Sequence, residues 1–391
     1  MENSENQVNL FEHVHKDWQK KCLSYDQVFE KATKQNALVK DIVSPLNDWE
    51  PNTFLDEKNR PALRNKKTGK IYSLTYHALN GLCKTSTVPF SGVVTGMLNN
   101  GQKRETVDAE LVCQYLNRNL FNPSCADLEK PLLFRTWDSD GDSQNTIRAI
   151  LSTSYVVINN LWYLDILRST IPQGVFSHWR GNADILCANL LIPDTMRQEQ
   201  DSEVGGMLSI GNNEIGTGRI TSLPSVFRAI CMNGTIMGQQ EGMKISKIHM
   251  GKIDFDNLKN IIIENLNKTI PLLSANVDTM LASKDMKINA PIDNILSLVA
   301  MENKLTKKIV KTLKENYLIE HEIIGKDVHS AYGLNAAITR TGQTLSNDQW
   351  FSFDMLAGHI CSMQANSWQS FMNRANNLTE KQIKKYFALS N

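Results

Sequence analysis

Four groups of residues in this chain carry side chains that could do chemistry. The run VFSHWRGN, residues 175–182, sets His178, Trp179 and Arg180 beside a turn. A stacking ring, an imidazole and a guanidinium together suit base stacking and phosphate contact on single-stranded nucleic acid. The same run also reads as an edge strand with a core tryptophan and an exposed arginine. The run KISKIHMGKI places His249 between Lys247 and Lys252 and admits the same two readings. In VFRAICM, Arg228 alternates with Val226 and Ile230 while Phe227, Ala229 and Cys231 take the other face. Apolar residues on both faces indicate a central strand. An arginine there must be paired, with Glu214 as the candidate partner, or must face a polar cleft that takes an anion. The fourth group is the basic stretch DEKNRPALRNKKTGK, with Lys66, Lys67 and Lys70. Arg148 and Arg219 complete the set of candidate nucleic-acid contacts.

Other chemistries find little support. GxxxxGK[ST] is absent; its nearest approach, RNKKTGK, has Arg64 where glycine is required. GTGRIT lacks the third glycine of a dinucleotide fingerprint. The elbow GxSxG of serine hydrolases is missing. DSDGDS, residues 138–143, has Ser143 and Ala149 where a calcium loop needs glycine and glutamate, so a solvated hairpin loop is expected. A metal-dependent nuclease using Asp138, Asp140 or Asp142 with Glu214 stays as an alternative. Seven cysteines are scattered without a CxxC pair, so reduced thiols and no bound zinc or other cofactor are expected. The lysines at 304, 307, 308, 311 and 314 read as a solvated helix face.

Composition bounds the partners. The chain has 391 residues, 41% hydrophobic and 21% charged, an ordinary globular balance. Its formal net charge is +1, so any nucleic-acid surface must be a local patch. No apolar run is long enough to span a membrane, and the polar N-terminus does not read as a signal peptide, so a cytoplasmic protein is expected.

The elements that must position these residues divide into three regions. Residues 1–55 carry helical spacing through Val28, Phe29, Ala32, Leu38, Val39 and Ile42, ending near Pro45. Residues 56–254 form the central region. There SLTYHALNGLCKTSTVPF reads as a helix capped by Ser73 or Thr75, and TVDAELVCQYLNRNLF as another. PLLFRTW and TIRAILSTSY, then VFSHWR, ADILCANLLIP, GMLSI, GRITSL, VFRAICM and TIMG, read as strands around the helix NNLWYLDILRST. Asn233-Gly234 supplies the two positive-φ positions of a tight hairpin between VFRAICM and TIMG. Residues 255–391 turn helical again, most clearly in the single amphipathic run IDNILSLVAMENKLTKKIVKTLKENYL. The expected class is α+β, with a mostly antiparallel central sheet, packed helices, and helical regions at both ends.

Several of these runs, taken in order, resemble the phage/plasmid-like proteins built on a domain of unknown function. RAILSTSYVVINN matches the family's R-A-x-L-S-x-x-Y-x-x-x-x-N pattern at Arg148, Leu151, Ser152, Tyr155 and Asn160. Asn212-Asn213-Glu214-Ile215-Gly216 matches N-S-E-x-G, with Asn213 in place of serine. Arg228, Cys231, Asn233 and Gly234 match R-x-x-C-x-N-G, and His249 with Gly251 match His-x-Gly. SLTYHALNGLCKTSTVPF and GLNAAITRTGQ resemble its flanking helices. The resemblance covers most of residues 70–360 and implies mobile-element biology. By a more distant analogy of layout with the single-strand annealing proteins of recombination, it implies a non-enzymatic, oligomeric binder of single-stranded DNA that anneals complementary strands. The alternative is a structural or interaction protein of the same element.

Overall fold

The computed structural model describes residues 18–52, 61–85, 109–122, 124, 127–138, 145–182, 184–199, 202–229, 232–237 and 253–387. The fold is α+β, with two six-stranded sheets and a helical C-terminal region. His249, Lys252, Asp140, Asp142 and the run KISKIHMGK lie outside the described residues. So do the side chain of Cys113 and all of Cys125 and Cys231; Cys22, Cys83, Cys187 and Cys361 are not joined in disulfides. Among the described residues no helix is long and apolar enough to cross a membrane.

The first sheet has the order β1-β5-β6-β4-β3-β2. Its strands are β1 (Val39–Pro45), β2 (Trp49–Asn52), β3 (Ala62–Asn65), β4 (Ile71–Leu74), β5 (Pro131–Trp137) and β6 (Thr146–Ser152). All pairings are antiparallel except β4 with β6. The N-terminal region is therefore not wholly helical. Helix α2 (Tyr25–Asn36), which follows the short α1 (Trp18–Lys21), is set by a capping box between Ser24 and Gln27 and stops at Asn36. The β-branched run Val39 to Val43 then pairs with β5. Helices α3 (Tyr76–Lys84) and α4 (Ala109–Asn119) cover one face of this sheet around Trp49, Leu79, Leu82, Leu116 and Phe134. Thr75, not Ser73, caps α3 through the Ala78 amide. Gly81 lets α3 approach β6 closely: a Cβ there would meet the Ile150 carbonyl oxygen at 2.3 Å.

The second sheet runs β12-β11-β10-β8-β7, with β9 on the far end of β10. Its strands are β7 (Val175–Trp179), β8 (Ile185–Leu191), β9 (Arg197–Glu199), β10 (Ser202–Asn213), β11 (Thr221–Arg228) and β12 (Asn233–Ile236). One face packs on α2, α5 (Asn160–Thr170), α6 (Phe255–Thr269) and α7 (Leu272–Ala282), through Val28, Leu164, Leu167, Leu190, Leu208 and Ile262. The first two C-terminal helices thus complete the core of the sheet rather than forming a separate unit. GRITSL and VFRAICM are not two strands: one strand passes through Pro224, whose carbonyl accepts the Met237 amide.

The hairpin at the end of this sheet forms, but its turn does not use Asn233-Gly234. Asn233 lies opposite Arg228 and Gly234 opposite Phe227, so both belong to β12. The chain reverses between Ala229 and Met232, and Met232 takes the left-handed conformation at φ 51°. Gly234 does not take a positive φ; a Cβ there would lie 2.1 Å from the Met207 methyl and 2.9 Å from Asn189 Nδ2, so these two buried side chains would have to move.

The remaining helices are α8 (Ile292–Glu302), α9 (Lys307–Ile324), α10 (Ala331–Gln343), α11 (Asn347–Cys361), α12 (Ala365–Asn376) and α13 (Glu380–Lys384). They enclose a third core around Leu296, Val310, Leu313, Leu334, Phe353 and Phe371. The single amphipathic run expected over 292–318 is two helices. Lys304 at φ 52° breaks it, and Thr306 restarts it by accepting the Ile309 amide.

Candidate functional site

The motif residues gather at the seam between the two sheets. Asn159 caps α5, and the next amide, Asn160, donates to Glu214 Oε1 at 2.7 Å. Arg135 of β5 reaches the same carboxylate, Oε2, at 3.3 Å, donates to the Glu214 carbonyl, and bonds Asp41 at 2.9 Å. Asn212 Nδ2 bridges the Ile158 carbonyl and Asn160 Oδ1, and Tyr155 donates to the Asn213 carbonyl. Burial pushes the Glu214 carboxyl above its usual range, against the lowering pull of the Asn160 amide and Arg135. Arg148, 1% exposed, bonds Asp184 at 2.7 Å. The void beside Glu214, edged by Asn36, Asn159 and Asn182, measures about 10 Å³. That is room for about one water. The seam is a structural joint that locks β5, β10 and α5 together, and among the described residues the void beside Glu214 is too small for a nucleotide.

Arg228 is the second buried group. It is 2% exposed, and both of its terminal nitrogens lie 3.2 Å from Glu320 Oε2. Arg340 Nε holds the other oxygen at 2.8 Å. The expected partner, Glu214, belongs to Arg135 instead. Burial raises the Glu320 carboxyl, but the two guanidinium groups outweigh it and hold the group below its ordinary range. Arg228 also lies over Tyr332, 5.1 Å from the ring centre, and Lys284 approaches the same ring at 5.0 Å. These contacts tie β11 to α9 and α10.

The His178–Arg180 run is likewise engaged internally. Trp179 packs edge-on against Phe176, and its ring covers Gly181. Arg180 donates to the carbonyls of Gln343 and Leu345 and stacks 4.4 Å above Trp350, whose ring centre is 5.7 Å from that of His178. Arg148, Arg228 and Arg180 therefore do not converge on one open groove. Exposed Lys66, Lys67 and Lys70 are spread along the first sheet: Lys66 donates to the Asn47 carbonyl, Lys67 pairs with Asp48, and Lys70 shares Asp138 with Lys40. Burial raises the Asp138 carboxyl, but Lys40 and Lys70 outweigh it and leave it lowered. Asp138 and Glu214 are thus committed to different cations. Among the described residues no three His, Cys, Asp or Glu side chains gather to hold a metal. Arg219 is exposed in the turn between β10 and β11.

Uncommitted positive charge collects on the C-terminal helices. A recess of about 570 Å³ opens where α8 turns into α9, edged by Lys304, Leu305, Lys307, Lys385 and Tyr386. Lys304, Lys307, Lys308 and Lys385 are exposed, and among the described residues none has a carboxylate partner. The neighbouring acids are taken: Glu302 by Arg374, Glu315 by Lys311 and Glu380 by Lys384. The first turn of α9 holds no acidic residue, so the helix dipole adds to the lysine charge. Lys385 lies 5.3 Å from the Tyr386 ring centre, which puts an aromatic face beside the cations. Lys304, Lys307 and Lys308 were legible as basic residues but read as one side of a continuous helix. The positive-φ break that turns them toward the chain end was not, and KKYF near the C-terminus was the unused signal. Compared with protein-family models, with curated proteins and with solved structures, the chain matches none.

Proposed function

We propose that this chain binds single-stranded DNA without catalysing a reaction, and that the lysine recess at the start of α9 is the contact surface. The observation that carries the reading is the set of four exposed lysines without carboxylate partners among the described residues, three of which, Lys304, Lys307 and Lys385, edge the recess with Tyr386. Such a surface neutralises backbone phosphates and releases counterions, while the ring offers a stacking platform indifferent to sequence. A net charge of +1 fits a local patch of this kind. The run of motifs shared with phage/plasmid-like proteins supports a role in mobile-element DNA metabolism. Annealing complementary strands would require several copies to align their recesses, so a homo-oligomer belongs to the same proposal.

The test is fluorescence anisotropy with single- and double-stranded oligonucleotides at two salt concentrations. Four lysine–phosphate contacts give a log–log salt slope of roughly 3 on single strands. Absence of salt-sensitive binding at micromolar protein overturns the reading in favour of an interaction protein of the same element.

A further inference from the structure

At the other end of α9, about 20 Å along the helix from the lysine recess, two histidines face each other across a tight turn. His321 lies in the last turn of α9, and Gly325, at φ 56°, reverses the chain toward His329. Their ring centres are 5.6 Å apart, tilted by 54°. Two imidazoles bound to one ion at ~2.1 Å fall at about this separation when the ligand angle is moderately wider than tetrahedral.

The hydrogen bonds around His329 define which nitrogen is free. The buried Tyr317 hydroxyl has one proton, and it donates to the Val328 carbonyl at 3.1 Å. The same oxygen lies 3.0 Å from His329 Nδ1, so it accepts from an Nδ1–H. The neutral ring then carries its lone pair on Nε2. A ring nitrogen anchored through the opposite N–H is how ligating histidines are oriented for a metal. Glu322 lies 3.7 Å from His321 Nδ1, beyond hydrogen-bond range, and among the described residues no hydrogen bond occupies Nε2 of that ring.

We propose that His321 and His329 form a two-histidine surface site for a divalent transition ion of the zinc, nickel or copper class, with solvent completing the coordination. Imidazole nitrogens favour these ions over magnesium or calcium. Two ligands rather than three make it an exchangeable site, and the bound ion would pin the Gly325 turn. Tyr317 is its positioning residue. The site is independent of the nucleic-acid reading.

Calorimetric titration of the full chain with zinc chloride tests this against the double variant His321→Gln/His329→Gln, whose substitutions are on exposed positions. The wild type should bind one more equivalent than the variant, and zinc should raise its melting temperature more than the variant's. Tyr317→Phe should weaken that equivalent about tenfold or more. Its metal-free far-ultraviolet circular dichroism should stay unchanged. Equal stoichiometry in wild type and double variant, or an equal zinc-induced rise in melting temperature, overturns the proposal.

Discussion

The arginines of the two sheets and the lysines of the C-terminal helices carry the same charge in opposite circumstances. Arg135, Arg148 and Arg228 are buried and each ends on a carboxylate, at Glu214, the partly exposed Asp184 and Glu320. Lys304, Lys307, Lys308 and Lys385 stand exposed, with the nearby acids committed elsewhere. A buried guanidinium must be neutralised within the fold, because desolvation costs several kcal/mol per ion. A surface ammonium carries no such demand. Buried charge therefore reports on how the elements are held, and unmatched surface charge reports on what the molecule meets. Substitutions can break this distinction in order of expected effect.

The largest effect should come from Glu320→Ala. It leaves Arg228 and Arg340 buried without their counter-charge and should cost about 3–5 kcal/mol. Urea unfolding followed by circular dichroism measures it. A loss below about 1 kcal/mol would mean that the cluster is not a joint. Next comes Gly234→Val, which drives a side chain into the Met207 methyl and should cost about 1–3 kcal/mol. Gly234→Ala should already show part of that cost, since its Cβ alone makes the clash. A substitution needed only to satisfy a turn would spare alanine much of it.

A buried acid without a hydrogen-bond partner sharpens the comparison from the other side. Asp354 of α11 is 1% exposed, and neither of its carboxyl oxygens has a hydrogen-bond partner among the described residues. Burial pushes its carboxyl well above the usual range, against the opposing pull of Arg180. The folded state thus holds a proton that the unfolded chain loses near pH ~4. The group's contribution to stability is greatest below that value. It declines as pH rises toward the raised folded-state value. Asp354→Asn cannot ionise and should be more stable than the wild type at pH 8, by roughly 1–3 kcal/mol. The gap between the two proteins should close as pH falls toward 4. Thermal unfolding across that range checks the sign, and a gap that widens on acidification would contradict it. The smallest effect is expected at Lys67, whose ammonium is matched by Asp48 on the surface. Lys67→Gln should change stability by under about 1 kcal/mol and leave oligonucleotide binding unaltered.

Much of the fold was legible because the local signals are backed by the packing. Thr75 opens α3 where capping chemistry says it should, and β5, β6, β7 and β8 fall on the runs PLLFRTW, TIRAILSTSY, VFSHWR and ADILCANLLIP. Where sequence reading failed, long-range contacts overrode a local preference. Helical spacing through Val39 and Ile42 yielded to pairing with β5. Asn233-Gly234 has ideal turn chemistry, yet the close approach of Met207 claims the glycine for the strand. The candidate site was legible as residue types only. Arg228 was recognisable as an arginine needing a partner, but that partner, Glu320, lies 92 residues away on α9. Lys385 and Tyr386 join the recess from the chain end, through helix packing that no spacing rule encodes.

The most direct test of the account is the salt dependence of single-strand binding in the wild type, in Lys304→Gln/Lys307→Gln/Lys385→Gln, and in Arg148→Lys as the interior control. If the exposed lysines are the interface, the triple variant should lose about 2 from the log–log slope. Arg148→Lys, provided it folds, should keep the wild-type slope. A triple variant that binds with the wild-type slope, or an interior control that loses it, would contradict the assignment.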